Sequence, residues 1–286
     1  MIQTSRQLKD KVRNISKGDN NIAKTLIRNY MMERFLERVS LSDYRYNFIL
    51  KGGLLVASFL GADMRATMDI DVTVKVLPLG VTDIRRIITE ICAIPLEDGV
   101  SFCITSVTSI LTEFEYPGVR IKLEAVLDRM KQVIKIDIST DDIITPGAME
   151  YEYRLMFEDR VIPLAAYNKE TLLAEKVQTI FARGIGNTRL RDFYDVYSII
   201  KMQADEVDRE LFFKAFWATC KKRETLFTQE GMTETLAQIQ ENLGMAQMWE
   251  QFRKTNYFVG DLEWGTVLDV VWQAIQPIIV FYGKTG

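Results

Sequence analysis

The sequence predicts an α+β fold, in which an N-terminal mixed sheet with flanking helices is followed by a C-terminal helical bundle. Two changes of hydrophobic period carry this reading. Between Phe102 and Ser139 apolar and polar residues alternate, the period of a half-buried strand. After Asn168 apolar residues recur every three or four positions, the period of an amphipathic helix. A chain of 286 residues that is 48% hydrophobic can bury the cores of two such units, placed at residues 1–165 and 166–286.

Each element follows from local pattern. Residues 5–39 read as one helix, with Leu26, Ile27, Tyr30, Met31, Arg34 and Phe35 on a buried stripe and basic residues elsewhere. Asn47–Leu50 is a short strand running into Gly52-Gly53, Leu54–Leu60 the helix that follows, and Met68–Val74 the next strand. Thr82 is expected to cap a helix through Ile94. Phe102–Leu111, Val119–Leu127 and Val133–Ile138 form an antiparallel meander, with turns at Tyr116-Pro117-Gly118 and Asp128–Lys131. Asp141 and Asp142 read as turn residues ahead of Pro146. In the second unit Asn168 caps a helix over Lys169–Arg183 that Gly184 ends, and helices follow at 189–203, 207–222, 233–254 and 265–281. The terminal Gly283-Lys284-Thr285-Gly286 lacks the upstream glycine of a phosphate loop.

Composition excludes several chemistries. The chain has no histidine, which removes Ser-His-Asp and Cys-His catalysis and His-ligated zinc. Its three cysteines, Cys92, Cys103 and Cys220, have no zinc or disulfide spacing. A net charge of −3 gives no overall nucleic-acid signature, so any such surface is local. The first residues lack a signal-peptide pattern and no apolar run reaches membrane-spanning length, so a cytoplasmic protein without a membrane partner is expected.

The chemistry concentrates between Lys51 and Lys75. Gly52-Gly53 opens a helix where backbone can approach phosphates. Asp69 and Asp71, beginning 16 residues after Gly53, alternate with Ile70 and Val72 and so share one strand face. Adjacent carboxylates repel unless a cation joins them. Mg²⁺, or Mn²⁺ in its place, is the expected cation, because it binds through one or two carboxylates plus substrate phosphates. Asp137, framed by Ile136 and Ile138, supplies a third carboxylate if its strand is a neighbour. Two ions about 4 Å apart could then align a hydroxyl with a nucleotide α-phosphate. Arg65 and Thr67, between the glycines and the acidic pair, are candidate nucleotide-binding residues. In the helical region Lys176 adjoins a core stripe, and Asp192 and Asp195 lie three apart on one helix side. They read either as a phosphate-binding Lys with an orienting Asp or as an ion pair tying two helices. Arg183, Arg189 and Arg191 flank a glycine-rich turn and Lys221-Lys222-Arg223 ends a later helix. With Tyr194 and Tyr197 they suit an RNA whose unpaired end can stack, or they complement helix dipoles.

Gly-Gly…Arg-x-Thr-x-Asp-Ile-Asp, a strand Asp, Leu-x-Glu-Lys and Arg-Asp-x-x-Asp, in this order over residues 48–200, resemble the AbiEii/AbiGii toxin family of the DNA polymerase β-like nucleotidyltransferase superfamily. The resemblance implies a nucleotidyltransferase-like first unit, whose active-site cleft the helical unit completes. It implies a toxin of a type IV toxin–antitoxin or abortive-infection system. Such a toxin uses a nucleoside triphosphate (NTP) to modify RNA, at the 3′ end of transfer RNA (tRNA), and so halts translation. It also implies a cognate antitoxin encoded nearby that need not form a stable protein contact. By motif, Gly52 and Gly53 would cradle the triphosphate with Arg65 in support, and Asp69, Asp71 and Asp137 would hold metal. Lys176 and Asp192 would match the later essential residues, with Asp195 an alternative to Asp192. Leu54-Leu55 departs from the Ser or Thr common after the glycines. Two other readings stand beside it. Asp69-Ile70-Asp71-Val72-Thr73 also fits a haloacid-dehalogenase-like phosphatase, which needs a parallel sheet. A nucleotide-binding regulatory module, one sensing GTP for example, would bind without transfer.

Overall fold

The computed structural model describes residues 1–61, 66–77, 80–112 and 115–282. The chain divides into two compact units: Met1–Asp142 with Ala148–Tyr167, and Ile143–Gly147 with Asn168–Gly286.

The first unit holds strands β1 (Phe48–Lys51), β2 (Ile70–Val74), β3 (Val100–Thr112), β4 (Glu115–Leu127), β5 (Met130–Thr140), β6 (Met149–Arg154) and β7 (Val161–Ala166). Among the described residues they form one seven-stranded sheet in the order β3-β4-β5-β2-β1-β7-β6. The meander β3-β4-β5 is antiparallel, β5 runs parallel to β2, and β2 is antiparallel to β1. On the other side β1 is parallel to β7, which is antiparallel to β6. Ile70, Val72 and Val74 on β2 and Ile134, Ile136 and Ile138 on β5 are buried, as their alternation requires.

The helices of this unit are α1 (Ser5–Ser16), α2 (Asn20–Leu41), α3 (Gly52–Leu60) and α4 (Val81–Cys92). The single helix expected over 5–39 is therefore two. Lys17 and Gly18 turn left-handed at φ 47° and 90°, and Asp19 restarts the chain by accepting from the amides of Asn21 and Ile22. Local stop and start signals override a hydrophobic stripe that continues across them. Helix α4 begins at Val81 after Gly80, so Thr82 lies inside its first turn and does not cap it. The turn expected at 116–118 is strand: Gly118 pairs with Ile110, and Tyr116-Pro117 falls at a register shift, where a missing N–H is tolerated.

The hairpin β6–β7 adds two strands that the period reading passed over. Pro163 lies opposite Glu152 on β6, ahead of the point where Ala165 joins β1, so its missing donor costs no bond on the inner side. Helix α2 also differs from expectation, because its charged residues are buried from Asn29 to Ser40. They are paired. Arg38 forks Asp98 at 2.7 and 3.0 Å and donates to the Val100 carbonyl at 2.7 Å. Arg160, between β6 and β7, forks Glu37 at 2.5 and 2.9 Å, and Glu33 accepts from the Met156 amide at 3.0 Å.

The second unit contains α5 (Lys169–Arg183), α6 (Leu190–Gln203), α7 (Arg209–Lys222), α8 (Gln229–Glu241), α9 (Leu243–Thr255) and α10 (Trp264–Tyr282). Asn168 caps α5 through the Thr171 amide at 2.7 Å, and its side-chain amide donates to the Thr145 carbonyl at 2.7 Å. That bond fastens segment 143–147 to this unit. The helix expected over 233–254 breaks at Asn242, which caps α9 through the Met245 amide at 3.0 Å. Phe193, Trp249 and Trp264 form its aromatic centre, with ring centroids 5.0 and 5.3 Å apart along that chain of contacts. Among the described residues, no helix is long and apolar enough to cross a membrane.

Arg38→Met should destabilise the protein by about 3–5 kcal/mol, because it strips the cation from a carboxylate that is fully buried. Urea unfolding measures this, and Asp98→Leu added to Arg38→Met should recover part of the loss. A shift below about 0.5 kcal/mol for Arg38→Met would mean that the pair carries no structural weight.

Candidate active site

One rung of the sheet gathers four charges. In register, Lys51 on β1 stands opposite Asp71 on β2, Asp71 opposite Asp137 on β5, and Asp137 opposite Arg120 on β4. Directly opposed residues of a sheet project to the same face, so the row reads cation, anion, anion, cation. The neighbours of the two carboxylates, Ile70, Val72, Ile136 and Ile138, fill the opposite face.

Each carboxylate is held differently. Arg120 donates from Nε and Nη2 to the two oxygens of Asp137, both at 2.7 Å. Asp71 receives the Gly53 amide at 3.3 Å, at the first turn of α3. Gly52 makes that approach possible: its φ is 68°, and a Cβ there would collide with the Asp71 carboxylate. The glycine pair thus seats an acidic side chain against a helix N-terminus, where the dipole favours negative charge. Lys51 donates to Asp142 at 2.6 Å, and Asp142 also accepts from the Ser139 hydroxyl at 2.5 Å. Although burial opposes it, the Lys51 ammonium, helped by hydrogen bonds from Lys51, Ser139 and Thr73, holds the Asp142 carboxyl below the usual range. Asp142 is therefore more than a turn residue.

Asp69 precedes the strand, because β2 begins at Ile70 and not at Met68. A bend, not the strand alternation, brings it close. Thr67 is buried and donates its hydroxyl to the Asp69 carbonyl at 3.2 Å, which fixes that bend. Thr67 thus holds backbone where nucleotide contact was expected. Arg65 lies outside the described residues. Burial, then the charge of Asp69 and more weakly that of Asp137, raise Asp71 to about 6 against the pull of Lys51 and the Gly53 amide.

Asp69 and Asp71 fit a hard divalent cation: two crowded carboxylates, oxygen donors only, with more negative charge than their neighbours neutralise. Asp137 does not stand with them as a third ligand. Its strand is the expected neighbour, but its oxygens face Arg120, and among the described residues no group of three or more carboxylates or thiols is arranged to hold a metal ion. Lys51, Arg120 and Asp142 escaped the sequence reading. Lys51 adjoins the glycines and was visible there, whereas Arg120 and Asp142 emerge only from register and from a turn that folds back. The antiparallel pairing of β1 with β2 and of the meander departs from the parallel sheet that the phosphatase reading needs.

In the second unit the Lys176 ammonium lies 2.9 Å from Asp192 and 2.7 Å from Asp195, all three buried. Both acids share the lysine, so the helix-tying ion pair is present. Arg189 reaches Asp192 at 3.3 Å. Arg223 is tied to α5, donating to Gln178 at 2.7 Å and Thr179 at 3.1 Å, and lies 3.6 Å from Glu175. Of the other basic residues, Lys221 is exposed, and Arg183, Arg191 and Lys222 are half-buried.

Two outcomes follow from these charges. The raised Asp71 favours its neutral form in the fold, so its stabilisation is full below about 3.8 and lost as pH rises through about 6. Asp71→Asn should be more stable than the natural protein at pH 8, by about 2 kcal/mol, with the gap closing by pH 4 in urea melts with chelator. A gap independent of pH would remove the like-charge crowding. Lys176→Met should cost about 3–5 kcal/mol by the same measurement, since it takes the shared cation from two buried acids. A neutral effect would deny the triad a structural role.

A family model described as "Nucleotidyl transferase AbiEii toxin, Type IV TA system" matches residues 34–270. Comparison with curated proteins finds no match. Among solved structures, the crystal structure of JHP933 from Helicobacter pylori is similar at a TM-score of 0.56 and 12% identity, over 91% of this chain and 94% of that one. An antigenic nucleotidyltransferase-like protein from Paracoccidioides brasiliensis aligns at 0.40 and 14%, over 72% and 92%. The fold likeness rests on the first.

Proposed function

Since the chain belongs to the AbiEii family of nucleotidyltransferase toxins of type IV toxin–antitoxin systems, we propose that it transfers a nucleoside monophosphate from an NTP to the 3′ end of an RNA, a tRNA in this reading, and so blocks translation. The observation that carries this is Asp71 seated against the Gly52-Gly53 helix start, with Asp69 on the bend just before it and Asp137 on the adjoining strand.

Asp69 and Asp71 would hold Mg²⁺ or Mn²⁺, which when bound neutralises phosphate charge and polarises the α-phosphate. The chain's own residues prepare that step. Thr67 fixes the Asp69 backbone, the Gly53 amide orients the Asp71 carboxylate, and Asp142 holds Lys51 beside it. Gly52-Gly53 adds no side chain of its own at the α3 N-terminus, where the Gly53 amide serves Asp71 and the other first-turn amides would suit phosphate. A carboxylate oxygen of Asp137 would take the proton of the incoming RNA hydroxyl. The hydroxyl oxygen then bonds to the α-phosphorus as the bond to the β-phosphate oxygen breaks and pyrophosphate leaves. The exposed Lys221, with Arg183, Arg189 and Arg191, would meet RNA phosphates, while Arg223 serves packing. A cognate antitoxin encoded nearby would act without a stable contact.

With an α-labelled NTP, Mg²⁺ and RNA, label should enter RNA and pyrophosphate should appear in equal amount. Asp69→Ala and Asp71→Ala should each lower incorporation at least a hundredfold while remaining folded. Oxidising the terminal 2′,3′-diol of the RNA should block labelling. Full labelling of oxidised RNA would sink 3′-end transfer, inorganic phosphate without labelling would indicate a phosphatase, and neither product would leave a binding module.

A further inference from the structure

The carboxylate that the transfer reading assigns to the RNA hydroxyl is already engaged. Asp137 offers both oxygens to the Arg120 guanidinium at 2.7 Å each, so a cation approaching it meets a carboxylate whose charge is already shared with a guanidinium. The engagement follows from the fold, since Arg120 and Asp137 are directly paired residues of β4 and β5. It is also accessible, with 40% of the Arg120 side chain and 22% of the Asp137 side chain exposed. Asp69 and Asp71 add their fields to that of Asp137 in holding the guanidinium charged. We propose that Arg120 is a built-in counter-ion that competes with the divalent cation for Asp137, and that it moves onto the phosphates of the nucleotide when substrate arrives.

The inference rests on the nucleotidyl-transfer reading and adds to it a residue and an order of binding. On this face Asp69, Asp71, Asp137 and Asp142 stand against Lys51 and Arg120, so the row carries surplus negative charge. A free cation entering first would have to share Asp137 with a guanidinium or settle for two carboxylates. A nucleotide brings a chain of phosphate oxygens that matches the planar fork as well as a carboxylate does. Transfer of Arg120 to phosphate releases Asp137 and satisfies the guanidinium in one exchange. An ammonium at this position would carry its donors on one nitrogen and lack the parallel fork that engages two oxygens of a carboxylate or phosphate alike. Cation and nucleotide therefore enter together, and the metal site is weak until they do.

The test measures Mn²⁺ binding to the full chain without nucleotide, from the resonance signal of the free ion. Removing a unit charge about 6 Å from a divalent ion should tighten Mn²⁺ binding about tenfold in Arg120→Gln. Asp137→Asn alone should weaken it about tenfold, because the Arg120 charge is then uncompensated, and Asp137→Asn added to Arg120→Gln should abolish the gain. Inorganic tripolyphosphate with Mn²⁺ is the second probe: Arg120→Gln should weaken it at least fivefold, and Arg120→Lys should recover part of that. Equal Mn²⁺ affinity in Arg120→Gln and the natural protein overturns the counter-ion, and so does a gain that survives Asp137→Asn. Unchanged tripolyphosphate affinity overturns the movement to phosphate. Loss of RNA labelling with an intact Mn²⁺ cycle would strike the transfer reading and leave Arg120 in place. Arg120→Lys, which keeps the charge but not the fork, guards against a misfolded Arg120→Gln.

Discussion

Asp71 and Asp137 stand directly opposite each other on parallel strands, where side chains of one rung are about 4.8 Å apart, and two carboxylates at that spacing need positive charge nearby. The sheet order supplies it from both sides. Antiparallel β1 brings Lys51 to one flank and antiparallel β4 brings Arg120 to the other. Had either flanking strand paired one residue out of step, an apolar neighbour, Leu50 or Val119, would face the acids and a charge would turn into the core. The left-handed Gly52 belongs to the same constraint. It lets the chain leave β1 beside Asp71, so that an amide and a helix dipole meet the carboxylate where a side chain would otherwise stand.

A second set of charges fixes the frame beneath that row. Helix α2 carries Glu33, Arg34, Glu37 and Arg38 into the interior, where they reach two places along the sheet, the approach to β3 and the β6–β7 connection. Arg38 meets Asp98 and Val100 at the start of β3, Glu37 meets Arg160 at the mouth of the β6–β7 hairpin, and Glu33 meets the Met156 amide just past β6. Burial pushes the Glu33 carboxyl up to about 8, against the Met156 amide, whose hydrogen bond favours the charged form. Buried ionic ties of this kind add little net stability, yet each tolerates one partner only. They set the placement of strands that apolar packing would accept in several positions.

The parts legible in the sequence were those whose cause is local. Lys169–Arg183 could be bounded to the residue because Asn168 and Gly184 carry its start and stop in their own side chain and backbone freedom. The face of Asp137 followed from the isoleucines on either side. The nucleotidyltransferase assignment came from an ordered set of motifs, which no single one of them supported. What stayed hidden depends on partners distant in sequence. Nothing near Arg120 announces Asp137, since only the turn at Asp128-Arg129 and the β4–β5 register bring them together. Thr67 looked like a ligand contact because its spacing matched a motif, and only the bend ahead of β2 gives its hydroxyl the Asp69 carbonyl. The β6–β7 hairpin alternates from Met149 to Arg154, but Pro163 lacks a ladder donor, and only the pairing shows that the inner neighbour of its strand begins two residues later.

The cations of the two units differ in a way that bears on chemistry. Lys176 is held by Asp192 and Asp195 with 10% of its side chain exposed, whereas Arg120 is held by one carboxylate with 40% exposed. Moving Lys176 would strand two acids in the interior, a cost that a substrate phosphate must repay in full. Moving Arg120 uncovers one half-buried carboxylate beside Asp71, a smaller cost than stranding two buried acids and one that an incoming cation offsets. A nucleotide has enough binding energy to make the second exchange far more readily than the first. The residue that the motif order singles out is thus the fixed one, and the residue that no motif marks is the one placed to respond to substrate.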